Sequence, residues 1–250
     1  MVLSVGGAPP ATQAVPIALQ QSYWDAWNAE NRETSIGEVS SDQKSTILGW
    51  LGAMGRTDLN IIDVGCGAGW MEPALKQFGS VTATDLSADV LARARLRIPQ
   101  VNFIAGDFMA LPFEERSFDV VVTLEVLAHV EDQAAFVAKL HAVLKPGGWL
   151  MLATQNRPVL ERHNMNTIKA PAPGQLRRWT SAFELRALLE PHFDVLELFS
   201  KTPRASQGPF RLLNARPVRQ AMRLLVGNRF ERLKERMGLG WTLMCLAQKR

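Results

Sequence analysis

Short runs of apolar and β-branched residues recur along this chain at 59–64, 81–84, 101–105, 118–124, 148–154, 193–199 and 241–247. Between most of them lie stretches at 68–78, 87–97, 131–144 and 181–190 in which apolar residues follow a helical period. Strands alternating with helices of that length predict a mostly parallel sheet covered on both faces, the doubly wound α/β arrangement. "LKPGGWLMLAT" predicts a helix stop, a glycine turn and a new strand. Ahead of the alternation, "QQSYWDAWNAENRE" and "SSDQKSTILGWLGAM" predict two helices, the second capped near Ser40 to Asp42. Trp24 and Trp27 stand at helical spacing there, which predicts packing; closing over a ligand is the other role open to them.

The last link, 201–240, is too long for a simple crossover. It places Leu, Met and Val at near-helical spacing among arginines, with a break at Pro217. The organisation read from this pattern is a tail over 1–15, a helical cover over 16–56, a core over 57–200, a basic helical insertion over 201–240, and a last strand and tail over 241–250.

Composition narrows the classes. An apolar fraction of 47% with 21% charged residues suits a folded domain, and no apolar run reaches membrane-spanning length. The start of the chain lacks the basic residues and long apolar segment of a signal peptide. Cys66 and Cys245 are too few for a disulfide framework or a metal site, so a reducing cytoplasm is expected. Net charge is +4, yet residues 201–240 alone carry ten Lys or Arg against two Glu. Arg211, Arg216, Arg219, Arg223 and Arg229 suit an anionic membrane surface, an acidic substrate or a solvated face. Sparse aromatic residues in that stretch and the lack of a base-reading motif argue against nucleic acid.

Candidate chemistry gathers at the strand ends. In "LNIIDVGCGAGW", Gly65, Gly67 and Gly69 follow the first strand, where a ligand can approach bare backbone. A helix beginning near Ala68 would point its N–H groups at the same place. The spacing is G-x-G-x-G, with Trp70 where a dinucleotide motif needs its third glycine, and by itself the loop also admits a purely structural turn. Asp85 ends the second strand, suited to ribose hydroxyls or to a helix cap, although Ser87 can cap that helix itself. Asp107 and Phe108 follow the third, suited to an adenine or to a turn.

Taken with "VTATDLS", "GDFMALPFEERSFDVVVTLEVLAHV" and "LHAVLKPGGWLMLAT", these residues make the chain resemble the class I S-adenosylmethionine-dependent methyltransferases over roughly residues 20–200. The resemblance implies a Rossmann-like, seven-stranded, mostly parallel sheet with an N-terminal helical cover and a C-terminal basic helical insertion. It also implies S-adenosyl-L-methionine as cofactor and S-adenosyl-L-homocysteine as product. Asp63, Gly65, Cys66, Gly67 and Gly69 would line the methionine part, Asp85 the ribose, Asp107 and Phe108 the adenine, and the Leu124 backbone the amino group, with Leu86 also binding the cofactor.

A base near neutral pH is useful when the methyl acceptor is a hydroxyl. His129 lies after the fourth strand, four residues from Glu125, and a structural role is its competing reading. His163 is the reserve candidate, whereas His141 and His192 read as structural. "SYWDAWNAENRE", "EVLAHV" and "LATQNRP" resemble the ubiquinone-biosynthesis type of O-methyltransferase, which implies that His129 faces the acceptor and that Asn156 and Arg157 border its pocket. Ala128 departs from the carboxylate that often precedes this histidine, and residues beyond 200 do not match the subgroup well.

The expected activity is O-methylation of a small-molecule, quinone-like, lipid or glycan acceptor without a metal. Methylation of carbon or nitrogen, and a silent cofactor-binding regulator, stand as alternatives. The expected location is cytoplasmic, with residues 201–240 against the inner face of a membrane as an extension of that reading.

Overall fold

The computed structural model describes residues 15–31, 37–162, 170–203 and 237–250, together with residues 233 and 235. Its centre is a sheet of seven strands: β1 (Leu59–Val64), β2 (Gly79–Asp85), β3 (Asn102–Ala105), β4 (Phe118–Leu124), β5 (Leu144–Gln155), β6 (Phe193–Pro203) and β7 (Gly240–Lys249). They lie in the order β3-β2-β1-β4-β5-β7-β6. The first five run parallel, while β7 is antiparallel to both β5 and β6. The strand order reverses between β1 and β4, where β2 and β5 leave in opposite directions. A crevice opens at the carboxyl ends of the strands at that point.

Side-chain alternation explains why the sheet needs cover on both faces. Ile61, Val120, Val122, Met151 and Met244 join one core, with Ile47 and Leu51 of α2 (Glu38–Met54), Leu75 of α3 (Glu72–Leu75) and Leu91 of α4 (Ala88–Arg97). Ile62, Val121, Leu150, Leu152 and Leu243 point the other way. They meet Phe136 and Leu140 of α5 (Gln133–Val143) and Leu185 and Leu189 of α7 (Ala182–Leu189). Phe136 is 1% exposed, a burial that stabilises the fold by roughly 2–3 kcal/mol. Two further helices, α1 (Ile17–Asn31) and α6 (Arg157–Arg162), lie near the crevice.

Several local expectations need correction. The helix expected over 68–78 is only the four-residue α3 followed by a 3-10 turn, Lys76–Phe78. Left-handed backbone at Gly67 and Gly69 (φ 55° and 76°) keeps the chain out of a helix until it has passed Trp70. No helix N-terminus therefore begins at Ala68. The second helix starts at Glu38 after Gly37, which makes no side-chain cap. Asp42 instead accepts a hydrogen bond from the Thr202 hydroxyl at 2.7 Å, tying α2 to β6. β5 starts four residues earlier than expected and carries its glycine turn as an irregularity in pairing with β4.

Residues 1–14 of the expected tail over 1–15, His163, and residues 204–232 of the expected basic insertion lie outside the described residues.

Candidate active site

The crevice holds a cavity of about 920 Å³, inside the range of roughly 300–1,000 Å³ usual for small-molecule sites. Its floor is the turn after β1. Gly65 and Cys66 donate their backbone N–H groups to the Thr84 carbonyl at 2.7 and 3.1 Å, drawing the turn against the end of β2. Gly67 N–H donates to Asp85 Oδ2 at 2.8 Å. A Cβ on Gly65 would lie 2.1 Å from Val126 Cγ2, and one on Gly67 would lie 3.1 Å from Asn28 Oδ1. Only glycine fits the first position, where φ is also positive at 79°. Gly69 serves packing instead: it does not line the cavity, and its α-carbon faces Phe103 and Ile98.

Asp85 is buried beside this floor. Its Oδ1 accepts from Ser87 N–H at 2.9 Å, so it turns the chain into α4 as well as holding Gly67. Ser87 does not cap α4 with its side chain, because its hydroxyl donates to Asp25 of α1. Burial raises the Asp85 carboxyl, with these backbone donors opposing and Asp25 adding to the rise. Each oxygen of the Asp85 carboxylate has a second lone pair to offer a ligand. Asp107 accepts from Met109 N–H at 2.9 Å, the turn role, while also lining the cavity. Phe108 lines it too, packed against Phe113 and Phe136 at 5.6 and 5.7 Å between ring centres.

Gly65, Cys66, Gly67, Asp85, Leu86, Asp107, Phe108 and Leu124 all line the cavity, and Asp63 does not. Asp63 is buried behind the floor with Glu72, the first residue of α3. Burial and the neighbouring carboxylate push Asp63 well up, and burial pushes Glu72 to about 7. Two buried carboxyls this close do not both ionise, so the pair keeps a proton in the folded protein. The Cys66 thiol is pushed well up by burial and by these acids, so it is neutral and no nucleophile.

The opposite wall comes from segments distant in sequence. Trp24 and Trp27 of α1 line the cavity rather than a closed core, as do Trp179 and Trp241. His129 sits in a 3-10 turn, Leu127–His129, with its ring packed in a T-shaped contact with Trp24, 4.7 Å between ring centres. Its Nδ1 lies 2.7 Å from the Leu176 carbonyl oxygen, which can only accept. Nδ1 is therefore the protonated nitrogen and Nε2 carries the lone pair. Burial holds the ring's pKa below the ordinary histidine value, partly opposed by the Leu176 bond and reinforced by Arg177. Glu125 does not share a helical face with His129. It takes left-handed backbone (φ 64°), and its Oε1 accepts from Gln43 Nε2 at 2.6 Å and the Thr242 hydroxyl at 2.7 Å.

Two expected pocket residues belong to the scaffold. Asn156 donates both amide hydrogens, to the carbonyls of Gly238 and Gly240 at 3.0 and 2.7 Å, closing the turn into β7. Arg157 pairs with Glu184 at 2.7 Å on the outside of α7. His141 and His192 pack together at 5.1 Å away from the cavity, in agreement with their structural reading.

Residues 62–152 match the family model described as a methyltransferase domain. Over those residues the chain is similar to a methyltransferase domain. The ubiquinone biosynthesis O-methyltransferases of Xanthomonas euvesicatoria and Pseudomonas paraeruginosa are each 34% identical to it. Those matches run over 146 and 147 residues, 56% of this chain in both cases and 59% and 60% of the relatives. The chain thus spans about three-fifths of the length of the curated relatives it matches. Among solved structures, the Burkholderia thailandensis 1,6-didemethyltoxoflavin-N1-methyltransferase superposes with a TM-score of 0.64 at 21% identity, covering 96% of this chain and 93% of that one. The N-methyltransferase NodS of Bradyrhizobium japonicum gives 0.63 at 16% identity, covering 92% and 98%. The described residues therefore share the Rossmann-like fold of these proteins, with the cavity at the switch point of the sheet. No described helix is long and apolar enough to cross a membrane.

Proposed function

We propose that the protein transfers a methyl group from S-adenosylmethionine to an oxygen of a small-molecule acceptor. The observation that carries this reading is one continuous cavity. It joins the Gly65–Gly67 floor, Asp85 and Asp107 to a buried histidine whose tautomer is fixed.

The residues present suit the cofactor. The floor is a cradle that a single Cβ at Gly65 would disrupt through Val126. Asp85 offers carboxylate lone pairs for ribose hydroxyls, and Asp107 and Phe108 offer an acceptor and an apolar edge for a purine. When bound, S-adenosylmethionine supplies a methyl group activated by its sulfonium.

The protein's part is to orient the acceptor, exclude water and receive a proton. His129 Nε2 takes the acceptor hydroxyl's proton as the oxygen is methylated. The Leu176 carbonyl keeps the resulting imidazolium's Nδ1–H bonded. The tryptophan wall limits water around the reacting atoms. An open cavity, rather than one filled by side chains, supports transfer over silent cofactor binding. The identity of 34% to two O-methyltransferases supports oxygen as the accepting atom.

The test is a screen of hydroxyl, amine and carbon acceptors that follows S-adenosylhomocysteine formation, comparing wild type with His129→Gln. Turnover confined to hydroxyl compounds and lost in the variant supports the reading. Turnover of amines alone, unaffected by the substitution, rejects it.

A further inference from the structure

We propose that the Asp63–Glu72 pair is the counter-ion of the cofactor's sulfonium: it gives up its retained proton when S-adenosylmethionine binds and regains one when S-adenosylhomocysteine is formed. The proposal deepens the methyl-transfer reading and rests on it.

The pair lies behind the floor of the cavity. Asp63 belongs to β1 and Glu72 is the first residue of α3, so the turn that carries Gly65, Cys66 and Gly67 runs from one carboxyl to the other. Asp63 is 3% exposed and Glu72 fully buried. The Cys66 thiol, part of the cavity lining, faces Glu72. Neither acid has an ion-pair partner among the described residues. From β2 the pair is faced by Asp85, another acid, which is itself faced by Asp25 of α1. From α4, Arg97 gives its Nη2 to the Ala68 carbonyl at 2.6 Å. Two carboxyls in contact, out of water and with no cation paired to them, hold a proton that a new positive charge nearby displaces.

The cavity in front of the pair has the same bias. Asp85, Asp107, Glu125, Glu131 and Asp132 line it, and Arg177 is the one Lys or Arg among the described lining residues. A ligand that brings positive charge to the floor is favoured by these acids and by a pair that becomes more negative in response. S-adenosylmethionine carries that charge, and S-adenosylhomocysteine has lost it with the methyl group. On binding, one carboxyl O–H bond breaks, its electron pair stays on oxygen and the proton passes to water. After transfer a carboxylate oxygen takes a proton back from water. The preference for cofactor over product therefore grows with pH, because binding of the charged form releases a proton.

The test titrates the full chain by calorimetry with S-adenosylmethionine and with S-adenosylhomocysteine. Phosphate and Tris serve as buffers of low and high ionisation enthalpy, so the difference in heat counts the protons exchanged. At about pH 7, wild type should release about half a proton or more with S-adenosylmethionine beyond that released with S-adenosylhomocysteine. Its affinity ratio for the two should rise at least about threefold from about pH 6 to about pH 8. E72Q and D63N each place an amide that donates to the remaining carboxyl, which then ionises. Both variants, verified as folded by urea unfolding, should lose the extra proton release and show a flat ratio. Equal proton release with the two ligands in wild type overturns the proposal. So does extra release that persists in both variants, which would place the titrating group on His129 or on the ligand itself. Wild type that binds neither ligand removes the methyl-transfer reading, and this proposal with it.

Discussion

His129 Nδ1 stands 2.7 Å from the carbonyl oxygen of Leu176, a contact between residues 47 positions apart in the chain. A backbone acceptor cannot be titrated away, so the ring keeps Nδ1 protonated and Nε2 basic over the whole working range. Burial favours the neutral ring and places its titration below about 6.5. The acid limb of kcat/KM should therefore fall below that pH, with activity lost as His129 becomes protonated. His129→Gln, which can still donate to Leu176, should lower turnover roughly a hundredfold or more while leaving S-adenosylhomocysteine binding intact. An acid limb unchanged in that variant would assign the base elsewhere.

Asp85 joins the ends of two structural elements through Gly67 and Ser87. Asp85→Ala should weaken S-adenosylhomocysteine binding by about 1–3 kcal/mol through loss of charged hydrogen bonds, and should also lower stability by orphaning two backbone donors. Calorimetry and urea unfolding read these two effects separately. Normal affinity in a destabilised variant would leave Asp85 with its turn role alone.

Gly65 tests the floor directly. Gly65→Ala drives a Cβ to 2.1 Å from Val126 Cγ2 and strains a backbone at φ 79°, a combined cost of about 1–3 kcal/mol or more. Thermal unfolding should show a lowered Tm, and the double variant Gly65→Ala/Val126→Ala should recover part of it. A double variant no better than Gly65→Ala would mean that backbone strain, rather than the Val126 contact, dominates.

The Asp63–Glu72 pair has a pH signature of its own. Burial raises Glu72 from its ordinary value to about 7, so between those values the folded state holds a proton that the unfolded chain releases. Its contribution to stability is present at low pH and is lost as pH rises through about 7. Glu72→Gln keeps the shape without the second charge. The variant should equal or exceed wild type in urea stability at about pH 8, with that advantage shrinking toward about pH 5. A variant weaker than wild type at the higher pH would show that the carboxylate is needed for more than filling its site.

Much of this was legible along the chain because the signals are local. Short apolar runs mark strands, and an acid or glycine directly after a run marks the end of a strand. Hence the turn after β1 and the positions of Asp85 and Asp107 could be read without coordinates. The tryptophans of α1 could not be assigned to the cavity, because helical spacing is the same for a core face and a pocket wall. Asp63 and Gly69 belong to the same motif as the floor residues. Their burial behind it depends on Glu72 and Phe103, which the motif does not contain. Asn156 carried a motif resemblance, but its amide is committed to carbonyls more than eighty residues away. The segment 170–180 was invisible for a related reason: it shows no period, and its importance comes from where Gly174 and Leu176 fasten it.

The central claim is that this cavity receives S-adenosylmethionine. Calorimetric titration of the full chain with S-adenosylhomocysteine, with NAD as control, addresses it most directly. The account predicts one site per chain with micromolar affinity for S-adenosylhomocysteine and no heat from NAD. Absence of S-adenosylhomocysteine binding, or binding of NAD in its place, would contradict it and leave the Gly65–Gly67 turn as a structural feature of the sheet.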